Sequence, residues 1–333
     1  MLAKLNSKKI LQYLLFLGFA VLFLWLAGRN ISFEEQLNYA KQAHLWPLAM
    51  IFVIGITTLF VRAMRWEMLI DPMGQRVDLV NTWLAIMIGY LVNLATPRLG
   101  EVARCAVLSK YEGIPADKLA GTMVAERAFD FLCLVILLFL TYVVEYEAVN
   151  MYINENVFQP IINNTTIPNV LMGVGALVML IAVFLFFRKR SQGSENKLAK
   201  IARNIIDGIL SIRKLKNPSY FIGTTVIIWI FYWFMTYMGF LAFDGLLHQP
   251  PGTGLSVLTI GSLGYVIPTP QGAGAFQYFV TETLSNMYGV PEGLAFTYSN
   301  VSWITQTLIL AIGGFFGLIY IPFWNNKKKK RNV

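Results

Sequence analysis

The sequence predicts an all-α polytopic membrane protein. Of its 333 residues, 56% are hydrophobic and only 14% are charged, whereas soluble domains carry about 25% charged residues. The mean hydropathy is +0.57, and apolar runs long enough to cross a bilayer recur along the chain. Since no polar stretch is long enough to form a second domain, we expect one integral membrane domain over residues 1–333.

Six apolar segments have spanning length. We expect the first to be an uncleaved anchor, because its run is long for a signal-peptide core and no small-x-small cleavage site follows. In chain order the six predicted spans are Ile10–Ala27, Trp46–Val61, Ala128–Val144, Val170–Phe187, Phe221–Phe243 and Val301–Phe323.

Two further apolar stretches each run into a Thr-Pro pair. Leu79–Ala95 leads into Thr96-Pro97, and Thr253–Ile267 leads into Thr269-Pro270. Threonine is a favoured N-cap and proline a favoured first helical residue, so each pair is expected to open a new helix. We therefore predict two re-entrant helical hairpins, over residues 79–110 and 253–288.

Positive charge predicts the topology, because cytoplasmic loops carry the excess of lysine and arginine. The basic connector 188–218, the basic tail 325–333 and the N-terminus are expected in the cytoplasm, and the acidic loop 145–168 outside. With the hairpins entering from opposite sides, external loops hold only Arg29 and Lys41 of the 27 basic residues. We expect a multi-pass protein of the bacterial cytoplasmic membrane with both termini cytoplasmic.

The two halves, 1–187 and 219–324, also resemble one another. Gly89-Tyr90 precedes Thr96-Pro97 much as Gly264-Tyr265 precedes Thr269-Pro270, and the closing prolines are Pro115 and Pro291. Repeats that enter from opposite sides are typical of inverted-topology transporters. The alternative is coincidence, since glycine, proline and tyrosine are common in membrane sequences.

Residues 196–216 show helical amphipathicity with a basic face, carried by Lys197, Lys200 and Arg203. Such a helix suits an anionic cytoplasmic leaflet. A solvated connector is the alternative.

Charged residues near the first turn predict an anion site. A charge inside a bilayer costs about 2.5–3.5 kcal/mol on insertion scales, so it usually has a function. Each hairpin would direct a helix N-terminus into the membrane, and Arg98 and Arg104 stand beside the first. Glu101 and Arg104, three residues apart, are expected to pair when the site is empty. The predicted substrate-binding residues are Asn93, Thr96, Arg98, Arg104, Arg127, Thr269, Gln271, Gly272 and Gly274.

A second charged group, Glu126-Arg127-Ala128-Phe129-Asp130, begins the next span. Glu101, Glu126 and Asp130 are expected either to couple protons or to neutralise the buried arginines. For Arg62, Arg65 and Trp66, interfacial anchoring is favoured over a place in the site.

Enzyme signals are few. His44 and His248 are the two histidines, and the sequence has no HExxH, Gly-x-Ser-x-Gly or P-loop motif. We expect no metal, no organic cofactor and no nucleic-acid partner.

The elements Arg62…Arg65-Trp66, Gly100-Glu101-x-x-Arg104 and Glu126-Arg127-x-x-Asp130 together resemble the lysylphosphatidylglycerol synthase transmembrane region family. That family includes the flippase part of the bacterial multiple-peptide-resistance proteins and stand-alone relatives. The resemblance covers about residues 10–323. It implies movement of an aminoacylated phospholipid between leaflets, and some relatives are associated with polyprenyl-linked glycans.

We expect a flippase for an anionic or aminoacylated phospholipid, or for a polyprenyl-linked lipid. No synthase domain is expected in this chain, so aminoacyl transfer does not carry over. The alternatives are a membrane-embedded transferase and a non-catalytic partner of a separate lipid-modifying enzyme. Membrane lipids are the expected partners, and a homo-oligomer is possible.

Overall fold

A computed structural model describes residues 7–96, 99–154 and 215–331, with the backbone alone for 7–16 and 329–331. These parts of the chain are helical and contain no strand, as the sequence predicts. The helices in chain order are α1 (Ser7–Gly28), α2 (Phe33–Lys41), α3 (Leu45–Ile70), α4 (Leu79–Ala95), α5 (Leu99–Glu112), α6 (Ala116–Val144), α7 (Tyr146–Ile153), α8 (Pro218–Phe240), α9 (Pro251–Gly264), α10 (Ala275–Glu282) and α11 (Glu292–Arg331).

Helices α3, α6, α8 and α11 are long and apolar enough to cross a bilayer. They correspond to four of the six predicted spans. The first predicted span ends in a sharp bend, because α1 and α2 meet at 81°, and the pair could form a fifth crossing. The predicted span Val170–Phe187 and the amphipathic segment 196–216 lie outside the described residues, apart from the last two residues of that segment.

Helices α4 and α5 form a closely packed hairpin because two glycines meet where the helices cross. A Cβ added to Gly100 would overlap the carbonyl oxygen of Gly89. The turn is closed by Asn93, whose Oδ1 accepts a hydrogen bond from the Gly100 backbone N–H at 2.7 Å. Small residues permit this approach in membrane helices.

Thr96 terminates the first helix of this hairpin, α4, and its hydroxyl donates to the Val92 carbonyl at 2.9 Å. The Val92 carbonyl accepts from both the backbone N–H and the hydroxyl of Thr96, and these two bonds close the end of α4. The described part of α5 starts at Leu99. Whether Thr96-Pro97 also opens α5 stays a prediction, because Pro97 lies outside the described residues.

Helices α9 and α10 form the second hairpin, which crosses at Gly264. A Cβ there would lie 2.6 Å from the backbone nitrogen of Phe276. Thr269 precedes a single 3-10 turn, Pro270–Gly272, and its side chain makes no cap. Helix α10 therefore begins at Ala275, five residues after the predicted start. The delay follows from left-handed backbone at Gln271, Gly272 and Gly274, which no α-helix accommodates.

The two halves pack reciprocally. Helix α3 packs against α8, the first hairpin's α4 packs against α11, and the second hairpin's α9 packs against α6. Gly314 of α11 fits directly against Leu91 and Met87 of α4. Each hairpin therefore rests on a long helix from the other half.

A polar cluster ties the base of each hairpin to that long helix. In the first, Asn81 donates to Glu112 Oε1 and exchanges hydrogen bonds with Asn325 of α11 at 3.0 and 2.7 Å. In the second, the hydroxyl of Tyr288 lies 2.7 Å from Ser256 Oγ and donates to Glu145, after the end of α6, at 3.0 Å. The clusters fix both hairpins at their open ends.

Candidate functional site

A buried cluster of arginines and carboxylates joins α3, α5 and α6. The i, i+3 spacing of Arg62 and Arg65 on α3 puts both guanidinium groups on one face, and Glu126 and Asp130 share a face of α6. Arg62 Nη2 lies 3.0 Å from Glu126 Oε1 and 3.1 Å from Asp130 Oδ2. Arg65 Nη2 lies 3.1 Å from Glu126 Oε1 and 2.7 Å from Asp130 Oδ1. Each carboxylate therefore bridges both arginines of α3.

Arg104 of α5 completes this cluster. Its Nη2 lies 2.7 Å from Glu126 Oε2, and its guanidinium stacks over the Trp66 ring at 4.6 Å. Trp66 is held in turn by Thr122, which accepts from the indole N–H at 2.9 Å. The expected pair of Glu101 with Arg104 does not form, because the packing of α5 on α6 brings Glu126 to Arg104 instead.

Arg62, Arg65 and Trp66 are not interfacial anchors. All three side chains are buried, and the two arginines form salt bridges with both carboxylates of α6. Sequence reasoning omitted them from the predicted site, although two arginines three residues apart in an apolar span were a usable signal. Tyr232 was also missed; its hydroxyl accepts from Arg62 Nη1 at 2.7 Å.

Arg127 and Glu101 form a separate pair at the edge of the cluster. Their atoms Nη2 and Oε1 lie 2.9 Å apart, and the Arg127 side chain keeps 43% of its surface exposed. Among the described residues, four guanidinium groups thus face three carboxylates. Their formal charge sums to +1, and an anion would balance it.

A cavity of about 710 Å³ opens beside this cluster, between the two hairpins. Arg62, Glu101, Arg127 and Asp130 give it a charged wall, contributed entirely by the first half of the chain. The second half contributes an uncharged wall with these polar side chains: Thr236, Ser262, Thr269, Gln271, Ser302 and Gln306.

Most predicted site residues meet at this cavity. Of these, Asn93, Glu101, Arg127, Asp130, Thr269, Gln271 and Gly272 line it. Arg104, Glu126, Thr96 and Gly274 are not among its lining residues; the first two pair with each other and the last two shape the turns. Arg98 lies outside the described residues.

Several polar atoms of the cavity wall have no hydrogen-bond partner within the described structure. They include Arg62 Nε, Glu101 Oε2 and Thr269 Oγ1, all buried. Unpaired polar groups in a poorly solvated place cost free energy, about 1–3 kcal/mol each. A polar ligand in the cavity would therefore be stabilised by several groups at once.

The cavity also opens to the outer surface of the helices. Val102, Phe131 and Val266 line it, yet each exposes more than half of its surface, at 63%, 58% and 53%. In a bilayer such apolar surface faces lipid chains. The same cavity therefore joins buried charge to a lipid-facing rim.

Nothing in the described parts of the chain forms a group of three or more His, Cys, Asp or Glu side chains able to hold a metal ion. The polar groups of the cavity are those of a binding site for an anion with further hydrogen-bonding groups.

Comparison with known proteins adds a family and a distant relative. The sequence model of the lysylphosphatidylglycerol synthase TM region matches residues 10–325, which confirms the resemblance drawn from the arginine and glutamate motifs. A UPF0104 membrane protein from Methanocaldococcus jannaschii is 22% identical over 96% of this chain and 98% of its own length. No solved structure matches.

Proposed function

Because the chain belongs to the lysylphosphatidylglycerol synthase transmembrane region family, a membrane domain associated with lipid handling, we propose that it is a lipid flippase. It moves an anionic or aminoacylated phospholipid, or a polyprenyl-linked lipid, between the leaflets. The observation that carries the proposal is a cavity that combines the buried guanidinium group of Arg62 with an exposed apolar rim.

The cavity suits a lipid headgroup in size and charge. Its volume of about 710 Å³ lies in the range of small-molecule sites, about 300–1,000 Å³. The net positive charge of the cluster favours a phosphate, for which arginine offers paired donors. The rim at Val102, Phe131 and Val266 lets acyl chains stay in the bilayer while the headgroup enters. In this proposal the chain moves lipid without changing it chemically.

The proposal includes an inverted repeat with six spans and two re-entrant hairpins. Reciprocal packing of the hairpins on α11 and α6 supports it, as do the paired glycine crossings at Gly89 and Gly264. Tyr90 and Tyr265, the residues after those glycines, both line the cavity. Broken helices around a central site are the usual construction of such transporters. Both termini are placed in the cytoplasm on the charge distribution.

The test is reconstitution into liposomes with fluorescent lipids, scored by the fraction that becomes accessible to an impermeant quencher. We expect the wild-type protein to accelerate movement of at least one anionic or aminoacylated lipid. Arg127→Gln removes the most exposed cation of the cavity wall, so it should slow movement about tenfold or more, from the loss of a charge-assisted hydrogen bond.

Arg76→Gln is the matched control, because Arg76 is exposed in the loop between α3 and α4. It should transport at the wild-type rate. The proposal would be contradicted if the wild-type protein moved none of the fluorescent lipids. It would also be contradicted if the Arg127→Gln protein moved them at the wild-type rate.

A further inference from the structure

The uncharged wall of the cavity indicates which part of a headgroup it binds. Every charged residue lining the cavity in the described structure belongs to the first half, and every polar residue from the second half is neutral. A headgroup that places its phosphate near Arg62 and Arg127 therefore presents its remaining atoms to hydroxyls and amides.

Thr269 is the one buried residue among the six polar side chains of this wall. The residue is 4% exposed, and its Oγ1 has no hydrogen-bond partner among the described residues. It makes no cap to the helical turn that follows, so the hydroxyl has no evident role in folding. A buried hydroxyl without a partner is a cost to the protein, and a hydrogen-bonding ligand would remove that cost.

Gln306 and Gln271 provide further neutral donors and acceptors. The Oε1 of Gln306 accepts from the Tyr265 hydroxyl at 2.8 Å, which leaves the amide nitrogen as a donor. Gln271 sits at the hairpin tip with a left-handed backbone, and its carbonyl is held by Trp303 Nε1 at 2.9 Å. That bond fixes the tip while the Gln271 side chain lines the cavity.

Charge balance among the described residues favours a headgroup with one net negative charge. The described cluster carries a formal charge of +1, so a headgroup with one net negative charge neutralises it. An aminoacylated headgroup carries added ammonium groups and would restore a positive charge in a poorly solvated cavity, which is costly.

Resting on the proposed function, we infer that the Thr269 wall is a subsite for uncharged hydroxyl groups. The substrate class is then a monoanionic phosphodiester or phosphosugar lipid whose headgroup bears hydroxyls. Phosphatidylglycerol and a polyprenyl phosphate sugar share this chemistry. Amine-bearing lipids bind more weakly.

The test measures binding of defined lipids to the purified full-length protein in detergent. The probes are dioctanoyl phosphatidylglycerol, dioctanoyl phosphatidylpropanol, dioctanoyl phosphatidylethanolamine, dioctanoyl lysylphosphatidylglycerol and a short-chain polyprenyl phosphohexose. Phosphatidylpropanol matches phosphatidylglycerol in charge and size but lacks the hydroxyls. We expect a preference of about three- to tenfold for the hydroxylated anion, the value of one neutral hydrogen bond or somewhat more. Preferred binding of the phosphohexose would identify a polyprenyl-linked sugar, rather than phosphatidylglycerol, as the substrate.

Thr269→Val separates this role from a structural one. It removes the hydroxyl at constant shape, so the preference should fall to near unity while phosphatidylpropanol binds as before. The melting temperature of the ligand-free variant should stay equal or rise, because an unpaired buried hydroxyl is lost. Thr297→Val is the control. The Thr297 hydroxyl donates to the Gly293 carbonyl at 2.7 Å, and Thr297 does not line the cavity. The lipid preference of this control should be unchanged.

Two results would overturn the inference alone: equal wild-type binding of phosphatidylglycerol and phosphatidylpropanol, or a preference for lysylphosphatidylglycerol or phosphatidylethanolamine. A Thr269→Val protein that keeps the full preference would also overturn it. If the protein neither bound nor moved any of these lipids, the proposed function would be overturned as well.

Discussion

Arg104 and Glu126 form the shortest contact that Glu126 makes with its arginine partners. The atoms Nη2 and Oε2 lie 2.7 Å apart, and both side chains are buried almost completely. The other oxygen of Glu126 accepts from Arg62 and Arg65. One carboxylate thus holds three guanidinium groups from α3 and α5, and the charged wall of the cavity depends on it.

Glu126→Gln should destabilise the protein strongly, by about 3–5 kcal/mol, because Arg104 would lose its carboxylate partner and Arg62 and Arg65 would keep only Asp130. The measurement is thermal unfolding of the purified protein in detergent. Glu101→Gln is the matched control, since Glu101 pairs with the half-exposed Arg127 and a pair of that kind contributes about 1 kcal/mol or less. Equal melting temperatures for the two variants would be inconsistent with a central role for Glu126.

Gly100→Ala should separate α4 from α5, because the new Cβ would overlap the Gly89 carbonyl and the Asn93 amide group. We expect loss of stability of roughly 1–3 kcal/mol, the usual cost of overpacking, together with slower lipid movement. Gly121→Ala in α6 is the control. Nothing lies within 4 Å of the position its Cβ would take, so it should be neutral or stabilising by up to about 1 kcal/mol. A stable, active Gly100→Ala protein would show that the hairpin tolerates separation of α4 from α5.

Asp78 should make stability depend on pH. It caps α4 through the Val80 and Asn81 N–H groups and accepts from Trp324 and Lys328 of α11. Partial burial favours the neutral acid, but the hydrogen bonds from Asn81 and Lys328 outweigh it and lower the pKa of Asp78. A lowered pKa stabilises the fold above the unfolded value of about 3.9, and this contribution is lost as pH falls through the folded pKa.

Asp78→Asn keeps the cap but not the charge, so it isolates this effect. At pH 7 it should be less stable than the wild type by about 1 kcal/mol or less, given the partial exposure of the pair. The difference should shrink as the pH falls below the unfolded value of about 3.9 towards the lower folded pKa. Chemical unfolding at about pH 7 and about pH 3 measures it, and an equal difference at both would exclude the charge of Asp78 as its cause.

Topology can be tested with single cysteines after Cys105 and Cys133 are replaced by alanine. Asp117 follows the first hairpin and Glu292 the second, and both are exposed. If the hairpins enter from opposite faces, Asp117→Cys reacts with an impermeant maleimide from the cytoplasmic side and Glu292→Cys from the outside. Labelling of both from one face would rule out the inverted repeat.

The residues that shape the hairpins could largely be identified from sequence, but their roles could not. Thr96 marks the first turn as predicted, and it also ends α4, which the Thr-Pro pattern did not indicate. The same Thr-Pro pattern at Thr269 is followed by three left-handed residues that postpone α10. Local preference places threonine at a helix boundary, whereas the backbone conformation of the residues that follow decides where the next helix begins.

The sequence by itself determined the membrane class, the helical composition, the two hairpins and three of the four charged residues of the cavity wall, because hydropathy and turn chemistry act over neighbouring residues. Only the tertiary structure decided the partners of the charges. Arg62 and Arg65 meet Glu126 across 64 and 61 residues of chain, and Arg104 prefers Glu126 to the nearby Glu101. In a low-dielectric interior each charge must be paired, and helix packing determines which opposite charge is within reach.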